Sequence, residues 1–422
     1  MRLNPVYFCA DVGTTSMKAA LIEWPLEPGL KPKALNFVRE EYPKGTQADV
    51  LETVFYKACN CLLDKNAPAP QAVCISSAGP NIIPVTEKGR PLSGLWWFSP
   101  ACREERLKSF FLPYILHQKK HKEQDFIKTA FYFSCQEYLC WKLGSQAVTT
   151  LPSPEYEPFY WEKAELKKIG VEASKFPPFA ALGSVSGRVS AEAAAKSGLP
   201  EGTAIVPGGT DFIMALIGCG VVFPGLVCDR AGSSEGINVC VEDADVSRLA
   251  ASGIRVLPHV LKGRWNISVV IPESGALFED YRRRCGLCGL DYAPLLTALL
   301  PDYGGPDDME EAPKLPDGVI KKGEAVLNTI AGKVCDALDL LQKSGFNVTE
   351  MTVSGGQAKN ARWNRYKAEK TGCRLYTPPV ADAELAGDAV CAAIAAGAGG
   401  GIEEVCRAIL APNRAPAFSV KK

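Results

Sequence analysis

The sequence predicts an α/β protein of two domains, and three observations predict it. Its 422 residues exceed what one ordinary core holds, so two domains of roughly 200 residues each are expected. Short β-like runs alternate with helix-period stretches, the pattern of an α/β architecture. A hydroxyl-rich, glycine-containing segment also opens each half: "FCADVGTTSMK" from residue 8, and "LVCDRAGSSEGINVCV" after Pro224-Gly225. Pro224-Gly225 reads as the hinge, giving expected domains of 1–223 and 224–422.

Taken in order, Val6-Tyr7-Phe8-Cys9 and Ala19-Ala20-Leu21-Ile22 read as strands on either side of a polar turn. Val73-Cys74-Ile75-Ser76 is a buried strand ending in Ser77-Ala78-Gly79. Residues 104–143 carry helical periodicity, and the proline- and aromatic-rich residues 152–160 read as loop. Ala204-Ile205-Val206-Pro207 is a strand, Gly208-Gly209-Thr210 a turn, and Phe212 to Ile217 the start of an apolar helix. The Pro-, Gly- and acid-rich residues 301–318 form a surface loop, and residues 325–344 a long amphipathic helix. Near the C-terminus a strand ends at Ser354, Gly355-Gly356 turn tightly, and a helix runs from about Ala358 to Thr371. Asp382 to Ala396 is a small-residue helix suited to close packing.

Composition excludes several classes. Hydrophobic residues make up 47% and charged residues 22%, enough apolar material for a core and too much for disorder. Lys plus Arg and Asp plus Glu are 47 each, which argues against a nucleic-acid or anionic-membrane partner. Lys119-Lys120-His121-Lys122 reads as a solvated helix face. No secretory signal is evident at "MRLNPVYFCAD", and the apolar run from Asp211 to Asp229 is broken by Gly218, Gly220 and Pro224-Gly225. Sixteen scattered cysteines are expected to be reduced thiols in the cytoplasm. Cys285 and Cys288 form a lone CxxC without the second pair of a zinc site. Only three histidines exist. His117 and His121 stand i, i+4 but without the glutamate of a metalloprotease pair, and His259 stands alone. The chemistry is expected to run on carboxylates.

The first hydroxyl-rich turn has two readings, a polar hairpin tip or a phosphate cradle. No Walker A loop and no GxGxxG opening a helix are present. A turn cradle remains, in which Gly13 lets the backbone approach a phosphate and Thr14, Thr15 and Ser16 add donors. Asp11 is placed to hold Mg²⁺ through water, and Lys18 either approaches the phosphates or is an exposed hairpin lysine. Gly232 and Ser233 repeat the layout in the second half. Gly355 and Gly356 give a flat backbone surface for an adenine or ribose, with Asn360 able to hydrogen-bond it. An ordinary strand-to-helix connection is the other reading.

In this order, "DVGTTSMKAAL", "PGGTDFIMALIGCG", "RAGSSEGINV", "SGGQAKNARWNRYKAEKTG" and "ELAGDAVCAAIAAG" resemble the FGGY carbohydrate kinase family, of xylulokinase- and glycerol kinase-like proteins. The resemblance implies the sugar kinase, heat-shock ATPase and actin fold, two ribonuclease H-like domains flanking a nucleotide and sugar cleft. It implies ATP and Mg²⁺, with Gln357 joining the nucleotide-binding residues. The family's catalytic base falls on Asp211, whose plainer role is a helix N-cap.

The sugar half departs from the pattern. Many members carry S-G-Q-x-H and W-x-D-x-R, where this chain has "SSAGPNI" and "LWWFSPACRE". Pro80 and Asn81 stand where sugar-binding side chains are expected, and Trp97 and Arg103 survive from the second motif. The implied function is ATP-dependent phosphorylation of a ketose such as a pentulose, or of a polyol, held near Ser77, Pro80, Asn81, Trp97, Arg103 and Asp211. Two other classes stand beside it, an actin- or heat-shock-like ATPase and a non-catalytic sugar or nucleotide sensor. No nucleic-acid or membrane partner is expected, and homodimerisation is left open.

Overall fold

The computed structural model of the chain describes residues 3–27, 29–43, 48–92, 107–305, 310–410 and the backbone of 415–418. They form two compact units. One comprises Met1–Gly218 with Val260–Lys262 and Glu384–Ile409, the other Cys219–His259 with Gly263–Ala383 and Leu410–Lys422.

In the first unit β1 (Val6–Val12), β2 (Ser16–Glu23) and β3 (Lys33–Glu41) form an antiparallel meander. β1 is buried at every residue because neighbours cover it on both edges and both faces, so its sequence lacks polar alternation. β3 lies at the sheet edge and carries Lys33, Arg39, Glu40 and Glu41, charges that discourage pairing with another chain. Helix α1 (Ala48–Leu62) packs on β2 and β3 through Leu51, Phe55, Ala58, Cys59 and Leu62, a stripe at helical spacing. The Phe55 ring meets that of Phe8 edge-on at 5.8 Å. β4 (Ala72–Ser77) runs parallel to β1, and α2 (Cys135–Leu143) covers β4 and a further parallel strand. β5 (Gly187–Arg188) and β6 (Ala204–Thr210) complete the order β3-β2-β1-β4-β6-β5, and α3 (Asp211–Gly218) follows β6 directly.

Three expectations are corrected here. Gly208 and Gly209 continue β6 instead of forming a turn. A Cβ on Gly208 would lie 2.7 Å from the Ile75 carbonyl oxygen, so the glycine is what lets the strand lie this close to β4. The helical stretch expected over 104–143 is interrupted. Helices Leu112–His121 and Glu123–Lys128 precede a strand, Phe131–Phe133, which pairs with Ile83–Val85. Three successive aromatics suit a pleated surface better than a helix. The expected loop at 152–160 holds a 3₁₀ turn, Pro154–Tyr156, and a helical turn, Glu157–Tyr160, with prolines at first-turn positions.

The second unit repeats the plan. β7 (Val227–Ala231) and β8 (Glu235–Val241) form the second hairpin. β9 (Arg255–Pro258) and β10 (Trp265–Ile271) extend it antiparallel. Helices α4 (Gly275–Arg284) and α5 (Asp317–Lys343) follow. α5 begins earlier than expected and buries Leu327, Ile330, Ala331, Val334, Ala337 and Leu341 along one face. β11 (Glu350–Ser354) pairs parallel with β7, α6 (Ala361–Thr371) follows, and β12 (Arg374–Thr377) pairs parallel with β11.

Helix α7 (Ala383–Ala395) and a short helix, Ile402–Val405, precede the edge strand β13 (Ala415–Phe418). The second sheet reads β9-β10-β8-β7-β11-β12-β13, the first unit's plan with one added edge strand. From Glu384 onward α7 belongs to the first unit, so compactness does not divide the chain at a single point. Its small residues explain the return: a Cβ on Gly387 would lie 2.2 Å from the Met214 carbonyl oxygen of α3. Among the described residues no helix is long and apolar enough to cross a membrane.

Candidate active site

In the first unit β1, β4 and β6 end level, with Val12 opposite Ser77 and Ser77 opposite Thr210. The carboxyl ends of parallel strands are where α/β sheets hold ligands. Three of the singled-out segments leave the sheet there: the 13–16 turn, residues 78–81, and Asp211.

The turn is tight. Gly13 N–H donates to the Ser16 carbonyl at 3.0 Å, and a Cβ on Gly13 would lie 2.8 Å from that oxygen. Thr14 and Thr15 are exposed, while Ser16 is buried and accepts from Arg39 Nε at 3.1 Å. Lys18 lies opposite Asp11 in the hairpin register. Its Nζ is 3.6 Å from Asp11 and 3.9 Å from Glu384. Two buried carboxylates converging on one cationic nitrogen are an oxygen-donor set of the kind Mg²⁺ takes.

Below them Asp388, fully buried in α7, accepts from Ser76 Oγ at 3.0 Å and Cys74 Sγ at 3.6 Å. Burial, then the nearby Asp11 carboxylate and Cys391, push its carboxyl well above the usual range. Neither Asp388 nor Glu384 is singled out by the sequence alone. The available signal is two acids in an otherwise apolar, alanine-rich helix.

Asp211 is half-buried at the head of α3, its Oδ1 accepting from the Phe212 N–H at 2.6 Å. Gly79 closes against the residue before it: a Cβ there would lie 2.3 Å from Thr210 Cγ2. Pro80 is half-buried beside Gly79. Ser77 and Asn81 lie beneath, both buried. Ser77 Oγ donates to Gln136, and Asn81 Nδ2 donates to Ser77 Oγ at 3.0 Å. Asn81 Oδ1 accepts from Cys135 N–H at 2.7 Å. These two side chains shape the loop from inside. Trp97 and Arg103 lie outside the described residues.

In the second unit a single platform forms. Ser274 and Ala276 N–H donate to the Ser233 carbonyl at 3.1 and 3.0 Å, and Gly275 N–H donates to that of Gly232 at 3.1 Å. Gly355, at φ +86°, sits where a Cβ would lie 2.3 Å from the Ala231 carbonyl oxygen. Gln357 Nε2 donates to the Gly232 carbonyl and to Ser274 Oγ, both at 2.9 Å. Gly232, Ser233, Gly355 and Gln357 are thus brought together. Gly356 is exposed, with open space where a Cβ would stand. Asn360 caps α6 through Oδ1, accepting from Trp363 N–H at 2.9 Å.

Residues 314–396 match the family described as FGGY family of carbohydrate kinases, C-terminal domain. This stretch of the chain is similar to that domain. Over 278 residues this chain is 25% identical to an autoinducer-2 kinase of Yersinia enterocolitica, covering 58% of this chain and 51% of that one. A second autoinducer-2 kinase, from Enterobacter sp. strain 638, is 27% identical over 278 residues, 57% of this chain and 51% of its own. The chain therefore spans about half the length of the curated relatives it matches. Its fold is that of a ligand-bound xylulose kinase from Lactobacillus acidophilus, at a TM-score of 0.75 and 17% identity, over 96% of this chain and 92% of the other. A Plasmodium falciparum glycerol kinase with ADP superposes at 0.71 and 14% identity, over 96% and 92%. The actin-like ATPase fold, with a ribonuclease H-like sheet in each unit, is thereby established.

Proposed function

We propose that this chain is a carbohydrate kinase that transfers the γ-phosphoryl group of ATP to a hydroxyl of a ketose, such as a pentulose, or of a polyol. The observation that carries it is Asp211, a half-buried carboxylate heading α3 at the level ends of three parallel strands, in a chain whose residues 314–396 match a carbohydrate kinase family. Asp211 takes the proton of the attacking hydroxyl as its oxygen bonds to phosphorus and the bond to the leaving ADP oxygen breaks. Such transfers have a loose transition state, so the protein mainly positions groups and offsets charge. Gly13, Thr14, Thr15, Gly232 and Ser233 supply donors to phosphate oxygens. Gly355 and Gly356 offer a flat surface to the nucleoside. Asp11 and Glu384 would hold Mg²⁺, which when bound screens the phosphate oxygens. Gly79 and Pro80 border the acceptor, supported from beneath by Ser77 and Asn81.

ADP release measured with Mg-ATP across ketoses, aldoses and polyols tests this. Release stimulated by one class of acceptor is the expected result. Acceptor-independent release would replace the proposal with an ATPase, and acceptor binding without release would replace it with a sensor.

A further inference from the structure

The second unit buries a charge cluster that the proposed chemistry does not use. Lys367, in α6, is 1% exposed, and its Nζ lies 2.8 Å from Asp229 Oδ2 and 2.5 Å from Glu235 Oε1. Asp229 lies on β7 and Glu235 opens β8, so the two carboxylates flank the Ala231–Ser234 turn. Glu235 Oε2 accepts from Ser274 Oγ at 2.5 Å. Ser274 Oγ accepts from Gln357 Nε2, which also donates to the Gly232 carbonyl. An unbroken polar chain therefore runs from the ammonium of α6 to the backbone of the second hydroxyl-rich turn.

Burial, with the Glu235 charge beside it, raises the Asp229 carboxyl well above its ordinary range. Burial raises Glu235 too, but Lys367 and three hydrogen bonds outweigh it and the group stays ionised. A buried ion pair contributes little net stability compared with apolar residues of the same volume. What it does is fix direction, because two carboxylate oxygens converge on a nitrogen that holds them only from certain angles.

We infer that Lys367 is a positioning residue: through Glu235, Ser274 and Gln357 it holds the Gly232–Ser234 turn in the orientation that receives a nucleotide phosphate. This rests on the nucleotide-binding reading above. Loosening the chain leaves the turn free to sample other orientations, so nucleotide affinity falls while acceptor affinity stays.

The test uses the full chain, calorimetric titration with Mg-ADP and with the acceptor identified by ADP release, and thermal melting. Three variants are compared with wild type: Ser274→Ala, Gln357→Ala, and the charge-neutral pair Lys367→Met with Glu235→Gln. The first two leave no buried charge uncompensated, so they report even where the pair does not fold. Loss of one buried hydrogen bond corresponds to about tenfold in affinity. The expected result is that order of loss for Mg-ADP in each folded variant, with the acceptor Kd and the melting temperature near wild type. Ser274→Ala and Gln357→Ala proteins that bind Mg-ADP like wild type would overturn the inference and leave the kinase reading standing. Wild-type protein that binds no Mg-ADP would overturn both.

Discussion

A carboxylate at the head of a helix is stabilised there whether or not it does chemistry, so Asp211 needs a substitution that separates the two roles. Asn still accepts from the helix N–H groups but takes no proton, so Asp211→Asn should melt near wild type. A lost general base lowers turnover by about 10² to 10⁴. Initial rates at saturating substrate decide it, and a mutant keeping more than about a tenth of wild-type turnover is no base mutant. Asp11→Ala belongs beside it. With Asp11 gone only Glu384 of the converging pair remains, so half-maximal turnover should demand more Mg²⁺ while the acceptor KM holds. Titration of Mg²⁺ into both proteins reads this, and an unchanged requirement removes Asp11 from the metal site. Asp11 was singled out because it precedes the hydroxyl-rich turn, and Asp211 through the family resemblance of the segment around it. Asp388 and Lys367 were not, because their partners lie far along the chain, at Ser76 and Cys74 and at Asp229 and Glu235.

Gly355 and Gly356 are neighbours in the chain, yet the two glycines do different work. Gly355 has a left-handed φ of +86° and no room for a Cβ against Ala231. Gly355→Ala should destabilise the chain by about 1–3 kcal/mol, a loss of that order being typical where both strain and crowding arise. Gly356 has an ordinary helical φ of −62° and open space around it. Gly356→Ala should therefore leave the urea midpoint alone and raise the KM for ATP. A fall in acceptor affinity instead would move Gly356 out of the nucleotide surface. The glycine pair at 208–209 shows why element boundaries are harder to read than element types. Two glycines before an apolar helix suggest a turn, yet here they let β6 approach β4. That requirement is set by a strand over a hundred residues away. The two hairpins, by contrast, were legible because each is local, with a few polar residues between apolar runs.

For the whole molecule, pH acts through His259. It is buried, with Nε2 3.1 Å from the Val221 carbonyl, and burial with Arg264 nearby pushes its pKa down to about 4. The unfolded chain takes up a proton near pH 6.5 that the folded chain refuses until about 4, so stability is present above 6.5 and lost as pH falls through this window. Between pH 7 and 5 this removes about 2 kcal/mol from wild type relative to His259→Gln. Urea midpoints of both proteins at the two pH values measure it, and parallel shifts would exclude His259 as the cause. The repeated sheet plan was foreseen from the repeated hairpin, whereas the return of α7 to the first unit depends on packing that no local pattern records. The described cysteines carry a further consequence. They are free thiols, with Cys9, Cys74 and Cys391 sealed in the first unit and Cys228, Cys240 and Cys373 in the second, while Cys61 and Cys288 face solvent. A slow alkylating reagent therefore finds a clock already installed. The outer sulfurs are consumed at once, and each inner one is marked only when its own strand or helix opens. Peptide mass mapping over time would rank the strands and helices by how often they breathe, without an engineered probe.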